Sequence, residues 1–271
     1  MADPHAFDPT DDQHVEVFDE LPLWSSLAGQ LLLEHVPLAA RRVLDLGCGA
    51  GFPLLELAER LGPPARVVGL DPWQQGLRRA NSKRERWPVR NADGVCGDGG
   101  KLPFRDGAFD LVVSNLGVNN FENPEATLAE AGRVLGPGGS LALTTNRMGH
   151  MRELYEAFER ALSNESAALG RLRAQVRHRG TVESLEARLT AAGFAVVAVH
   201  EREATLRFAT PEALFEHHFM RAGFRSGWEA IAGDPATLAR MRDELEEVAR
   251  ARGELRLTIP LVYLEARRAG R

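Results

Sequence analysis

Cysteine is nearly absent: the chain of 271 residues has two, Cys48 and Cys96. That excludes a disulfide framework or a cysteine-built metal cluster. The adjacent His217 and His218 bring no His-x-x-x-His or Cys-x-x-Cys spacing with them, so no metal site is expected. Apolar runs long enough to span a bilayer are missing. Residues 1–13 carry acids and prolines where a secretory leader would need a basic start and an apolar stretch, so a frayed start and a cytoplasmic location are expected. Excess charge is missing too. Lys and Arg number 33 against 38 Asp and Glu, and the pI near 5.9 offers no general attraction to nucleic acid or an anionic membrane. With 44% apolar and 26% charged residues, no internal repeat and no low-complexity linker, the chain reads as one substantial core with an appendage.

What is present names a chemistry. Val43-Leu44-Asp45-Leu46 is a short apolar strand that breaks into Gly47-Cys48-Gly49-Ala50-Gly51. Alternating glycines let a backbone take left-handed angles and approach a ligand closely. Pro53 then suits a helix start, and Leu54, Leu57, Ala58 and Leu61 repeat at helical spacing before Gly62. Strand, tight turn and helix form a nucleotide-type unit. A dinucleotide fingerprint would need a third glycine at position 52, where Phe52 stands. Asp45 suits a cationic amino or sulfonium group better than a pyrophosphate.

Three later segments repeat the theme. The strand Val67-Val68-Gly69-Leu70 ends in Asp71-Pro72-Trp73, where the carboxylate suits a ribose and the indole either stacks on adenine or packs in the core. A weak strand ends at Cys96 and runs into Gly97-Asp98-Gly99-Gly100. Phe109 to Ser114 reads as a buried strand delivering Asn115, Leu116 and Gly117. Asn123 is placed to cap a helix with Pro124 at its first position. Strands alternating with helices predict an α/β, doubly wound, parallel sheet, and the ends at Gly47, Asp71, Asp98 and Asn115 all fall at strand carboxyl termini, where such sheets bind ligands.

The run from Asp45 to Gly51, with Arg133-Val134-Leu135-Gly136-Pro137-Gly138-Gly139 closing the unit, resembles the class I S-adenosylmethionine-dependent methyltransferases of the methyltransferase type 11 kind, over about residues 42–146. The resemblance implies a Rossmann-like seven-stranded sheet, mostly parallel with an antiparallel last strand, plus helical lid insertions. It implies S-adenosyl-L-methionine as cofactor, Asp71 on its ribose and Asp98 on its adenine amino group; an Asx-type turn is the other use of Asp98. The full set expected at the cofactor is Asp45, Gly47, Cys48, Gly49, Gly51, Asp71, Pro72, Trp73, Asp98, Gly99, Asn115 and Leu116, with Cys48 also read as a small buried filler. The expected layout is a helical segment over 1–37, the cofactor-binding core over 38–147, a helical insertion over 148–180, core again over 181–200, a helical lid over 201–253 and a last strand within 254–271. Those insertions either enlarge the core or shape the acceptor pocket. Pro260 in the last strand suggests an edge position or a bulge.

The implied reaction is methyl transfer by in-line displacement, in which positioning alone supplies roughly 7–11 kcal/mol. No catalytic residue is assigned. His150, with Asn119 and Asn120 as orienting groups, is the candidate base against a packing role. Asn115-Leu116-Gly117 departs from the Asn/Asp-Pro-Pro-Tyr/Phe signature of amino-methylating nucleic-acid enzymes, and the cysteines that arsenic methylation uses are missing. The Arg-rich stretches 78–90 and 171–179 read as solvated faces or phosphate contacts. A small-molecule acceptor is expected, with no nucleic-acid or membrane partner. A nicotinamide oxidoreductase and a non-catalytic regulatory module on the same fold are the alternatives.

Overall fold

The computed structural model describes residues 8–20, 23–162 and 165–268, so residues 1–7 of the expected frayed start lie outside the described residues. Asp12 and Gln13, expected in that start, are already helical. The elements in order are α1 (Asp12–Glu20), α2 (Leu23–His35), β1 (Arg42–Leu46), α3 (Leu54–Leu61), β2 (Arg66–Asp71), α4 (Gln74–Arg86), β3 (Ala92–Cys96), β4 (Phe109–Asn115), α5 (Pro124–Val134) and β5 (Leu135–Asn146). Then come α6 (Arg152–Ala161), α7 (Ser166–Arg177), α8 (Val182–Ala191), β6 (Phe194–Phe208), α9 (Pro211–Glu216), α10 (His218–Met220), a π-turn (Arg221–Arg225), α11 (Ser226–Ala232), α12 (Pro235–Arg252) and β7 (Leu255–Arg268). The chain forms two compact units: a larger one from Pro9–Asn146, Thr181–Arg202 and Leu261–Arg271, and a smaller one from Met1–Asp8, Arg147–Gly180 and Glu203–Pro260.

The larger unit is built on a seven-stranded sheet in the order β3-β2-β1-β4-β5-β7-β6. β1 runs parallel to β2 and to β4, and β4 parallel to β5. β7 is antiparallel to β5, with Ser140 opposite Arg267 and Asn146 opposite Leu261. Strand alternation sorts the two faces. Leu44, Leu46, Leu70, Val112 and Leu141 point into one core with Leu128 and Val134 of α5 and Leu185 and Leu189 of α8. The intervening positions point the other way. A Cβ on Gly69 would come within 2.7 Å of Leu54 in α3, and one on Gly94 within 3.2 Å of Leu77 in α4, so those glycines let the helices close on that face. Each fully buried Leu in this double layer contributes about 1.5–3 kcal/mol.

Helix starts follow the sequence signals. The Asn123 side chain accepts the Ala126 N–H, Thr181 that of Ser184, Thr210 that of Ala213 and Asp234 that of Thr237. Two strands depart from expectation. β7 lies between β5 and β6, so Pro260 does not mark an edge; it stands just before Leu261, where the ladder with β5 begins, and its carbonyl accepts the Arg147 N–H at 3.0 Å. β6 is the edge strand and continues to Phe208, nine residues beyond the apolar run that ends at Val199. Its outer half is polar and charged, as an edge tolerates.

In the smaller unit α6 packs on α12 and α7 on α11. Leu154 and Phe158 of α6 and Met241 and Leu245 of α12 are fully buried. The segment expected as one helix around Leu214, Phe215 and Phe219 is broken. His217 is extended at φ −63°, ψ 125°, and its Nδ1 accepts the Phe219 N–H, a local bond that competes with the helix ladder.

Candidate functional site

The glycine turn is held from below by the neighbouring strand. The Gly47 N–H donates to the Leu70 carbonyl at 2.8 Å, and the Ser114 hydroxyl donates to the Leu46 carbonyl at 2.8 Å. Cys48 fills the hollow left by the missing side chain of Gly69, where its Sγ lies 2.6 Å from a notional Cβ. Burial pushes its thiol far up, so it serves as packing. Two glycines are required for different reasons. At Gly51, φ is +101° and a Cβ would meet Ala80 at 2.9 Å, so the turn can lie on α4 only without a side chain. At Gly49, φ is +51° and a Cβ would meet nothing within 4 Å. Gly49 therefore leaves backbone bare toward open space, as a cradle for a ligand must.

Asp71 ties this turn to the second strand. Its Oδ2 accepts the Gly49 N–H and its Oδ1 the Trp73 N–H, each at 2.8 Å. Burial raises the carboxyl pKa, against the effect of those two donors. Each oxygen keeps a second lone pair for a hydroxyl donor. Trp73 packs over Gly76, where a Cβ would come within 2.4 Å of the ring, and its Nε1 donates to the Pro9 carbonyl at 2.7 Å. Pro72 is exposed, and its carbonyl lies 3.8 Å from the Cys96 Sγ.

Asp45 is the anomaly of the site. It is 0% exposed, and neither carboxylate oxygen has a hydrogen-bond partner among the described residues. The Leu54 N–H at the start of α3 faces it and favours its charge slightly, outside hydrogen-bond geometry. Burial first, and then the Asp71 carboxylate, push its pKa up to about 8. A buried carboxyl without partners is costly, and a cation placed beside it would remove that cost.

Asp98 is exposed at the end of the β3 loop. Its Oδ1 accepts the Gly100 N–H at 2.8 Å, an Asx-type turn that leaves Oδ2 toward solvent. The loop that follows is clamped by Arg133, which donates to the Phe104 and Leu102 carbonyls at 2.7 and 3.1 Å and to Asp106 and Glu130. Gly99 lies under α5, where a Cβ would come 3.1 Å from Thr127. Asn115 is buried and fully engaged: its Oδ1 accepts the Thr144 hydroxyl at 2.8 Å and its Nδ2 donates to the Ser25 carbonyl of α2 at 3.0 Å. Leu116 follows with φ +63°, a left-handed angle that costs a non-glycine residue about 1–2 kcal/mol. The Asn120 Nδ2 donates to the Leu116 carbonyl at 2.9 Å and braces that turn.

The catalytic candidates divide between the units. Asn120 is in the larger unit, as is Asn119, whose side chain lies outside the described residues. His150 belongs to the smaller unit. It is 3% exposed, and burial, then the nearby charge of Arg179, hold its pKa well below the ordinary histidine value. Among the described residues no cluster of His, Cys, Asp and Glu is arranged to hold a metal ion. Sequence reasoning missed Ser114, Thr144, Ser25 and the Phe52 ring, which sits where a Cβ on Gly29 would be, 2.2 Å away. Only the strand glycine at position 69 signalled a close approach in advance.

With this geometry in place, comparison assigns the family. Residues 44–143 match the methyltransferase domain family. The chain is 35% identical over 190 residues to the demethylmenaquinone methyltransferase of Thermus thermophilus, covering 64% of this chain and 81% of that protein. It is 38% identical over 132 residues to the malonyl-[acyl-carrier protein] O-methyltransferase of Legionella pneumophila, covering 48% of this chain and 44% of that protein. The phosphoethanolamine N-methyltransferase 2 of Haemonchus contortus, solved with S-adenosyl-L-methionine, shares the fold with a TM-score of 0.59 at 17% identity, over 96% of this chain and 58% of that one. The chain belongs to the class I S-adenosylmethionine-dependent methyltransferases. It spans about half the length or less of several of the curated relatives it matches.

Proposed function

We propose that this protein binds S-adenosyl-L-methionine at the carboxyl ends of β1, β2, β3 and β4 and transfers its methyl group to a small-molecule acceptor. The observation that carries the reading is the pairing of a bare backbone cradle at Gly49 with the buried, unpartnered carboxyl of Asp45. That donor set fits a ligand carrying a cation and a ribose and has no feature suited to a pyrophosphate. When bound, the cofactor supplies an electrophilic methyl on a sulfonium, which an acceptor lone pair takes in line, leaving S-adenosylhomocysteine.

The chain's own residues bind and orient. Asp71 accepts the ribose hydroxyls on its remaining lone pairs while its bonds to Gly49 and Trp73 hold it in place. Asp98 Oδ2 accepts from the adenine amino group, with Trp73 and Pro72 beside the ring and Gly99 giving close backbone approach. Gly47, Gly51 and Cys48 shape the turn, and the strained Leu116 with Asn115 fixes the edge nearest the methyl. The Thermus and Legionella relatives act, by their names, on demethylmenaquinone and malonyl-[acyl-carrier protein]. Those acceptors are metabolites or carrier-borne groups, and a low-molecular-weight acceptor group is proposed here on that support. A cytoplasmic location is proposed on the two cysteines, both free. Thermal shift with S-adenosylhomocysteine against NADH tests the site: stabilisation by the first alone is expected, and stabilisation by NADH alone overturns the reading.

A further inference from the structure

Within the smaller unit, several buried polar groups lack what the sheet gives its own. The Tyr155 hydroxyl, the Trp228 indole N–H and the His218 Nε2 are buried with no hydrogen-bond partner among the described residues. Arg179 lies just beyond α7, half-buried, and no Asp or Glu among the described residues pairs with it. The other arginines of its basic stretch are engaged: Arg171 donates to the Ile231 carbonyl and Arg173 to Glu159, each at 2.9 Å. Arg179 has only the Tyr155 hydroxyl beside it. A guanidinium drawn out of water without a counter-charge is costly unless a ligand supplies the anion.

The surroundings fit an anion with an apolar body. Arg179 lies near His150, whose ring stacks on Phe224 with centroids 6.3 Å apart, and Phe224 stacks on Trp228 at 5.8 Å. Two backbone irregularities flank the cluster. Met151, next to His150, has φ +51°, and Phe224 stands in the π-turn Arg221–Arg225. Non-glycine left-handed residues and π-turns are both enriched at functional sites. Phe224 and Arg179 are partly exposed, so a ligand can reach both from solvent.

We propose that Arg179, with the Tyr155 hydroxyl beside it, binds the carboxylate of a low-molecular-weight compound whose apolar body lies against Phe224 and the aromatic stack behind it. The planar guanidinium offers the carboxylate two parallel N–H donors. That this compound is the methyl acceptor rests on the function proposed above; the binding site itself does not.

The test uses the full chain with 3-phenylpropionate, its neutral isostere 3-phenylpropionamide, and phenyl phosphate, by calorimetry and thermal shift. The acid should bind at least tenfold more tightly than the amide. Arg179→Gln should abolish that preference, keep the affinity for S-adenosylhomocysteine and leave the ligand-free melting temperature equal or higher, because no protein partner of Arg179 is lost. Equal binding of acid and amide, or a preference retained in Arg179→Gln, overturns the site. Tighter binding of phenyl phosphate overturns the carboxylate assignment. Should Arg179→Gln not fold, Tyr155→Phe reads the same preference, which should fall severalfold; no change overturns the proposal. Failure of S-adenosylhomocysteine to bind the wild-type chain removes the methyltransferase reading while the acid-over-amide preference still reports on this site.

Discussion

The sheet end and the helical unit handle buried polarity in opposite ways. At the sheet end Asp71, Asn115 and Asp98 are each tied to backbone or a neighbouring hydroxyl before any ligand arrives. Only Asp45 is left without a partner. In the helical unit several buried polar groups stand unpartnered and the nearby aromatic side chains stack on one another. A site whose groups are pre-bonded binds with little reorganisation, so one cofactor can be held by many relatives. A site with open donors is specific to whatever completes it. The difference teaches that cofactor identity belongs to the part of the molecule that is already satisfied, and acceptor identity to the part that is not.

The sharpest way to break this contrast is at Gly49. Gly49→Val places a β-branched side chain at φ +51° and fills the open space over the turn. Loss of cofactor binding by more than about a hundredfold is expected, from occupied volume and backbone strain together. Calorimetry with S-adenosylhomocysteine on the folded variant measures it, and near-normal affinity would mean that the turn cradles nothing.

Asp71→Ala comes next. It removes the proposed ribose acceptor and also frees the Gly49 and Trp73 N–H groups, so affinity should fall at least tenfold, about 1.4 kcal/mol. Asp71→Asn separates the two effects. An amide keeps one acceptor, so if pre-bonding of the turn is the larger part, Asn should recover much of the loss.

Asp45 gives a pH signature. The folded, ligand-free chain holds the Asp45 proton up to a pKa of about 8, whereas the ordinary value is 3.8. Between those values the folded state binds more protons than the unfolded one, so this group lowers stability as pH rises through the window and adds no further loss above it. Asp45→Asn removes that slope. Relative to wild type it should gain on the order of 1–3 kcal/mol between pH 5 and pH 8 while binding the cofactor more weakly. Denaturant melts at the two pH values decide it. Parallel loss in both proteins would show that Asp45 is ionised without cost.

Much of the sheet end was legible because its signals are contiguous. Asp45 to Gly51 is one strand and one turn, and Asp71 closes the next strand by the same pattern. The fold followed from alternation of such units, and the antiparallel β7 from family resemblance. What was not legible depends on contacts far apart in the chain. Thr144 meets Asn115 only through the β4–β5 register, and no local pattern announces a register. The polar half of β6 has no apolar alternation, because an edge strand needs none. Arg179 looked like the end of a solvated basic helix; α7 stops at Arg177 and the chain turns that side chain inward. The break at His217 rests on a single side-chain bond.

The smallest expected effect lies at Leu116, where the two modes of organisation meet: a residue of the pre-bonded sheet end that stores strain. Its φ of +63° costs about 1–2 kcal/mol that glycine would not bear. Leu116 is only partly buried, so Leu116→Gly gives up a fraction of a leucine's burial and adds backbone freedom to the unfolded chain at a cost of about 0.5–1 kcal/mol. These terms nearly cancel, and the melting temperature should move little. Affinity should respond more than stability does. Leu116 is held by the Asn120 bond to its carbonyl and by its own N–H on the Thr144 carbonyl at 2.8 Å, and a glycine there lets that edge of the site sample other conformations. A severalfold weaker cofactor affinity with unchanged stability is the expected outcome of paired calorimetry and thermal melts. A large loss of stability with unchanged affinity would place Leu116 in the packing of the sheet end and outside the site.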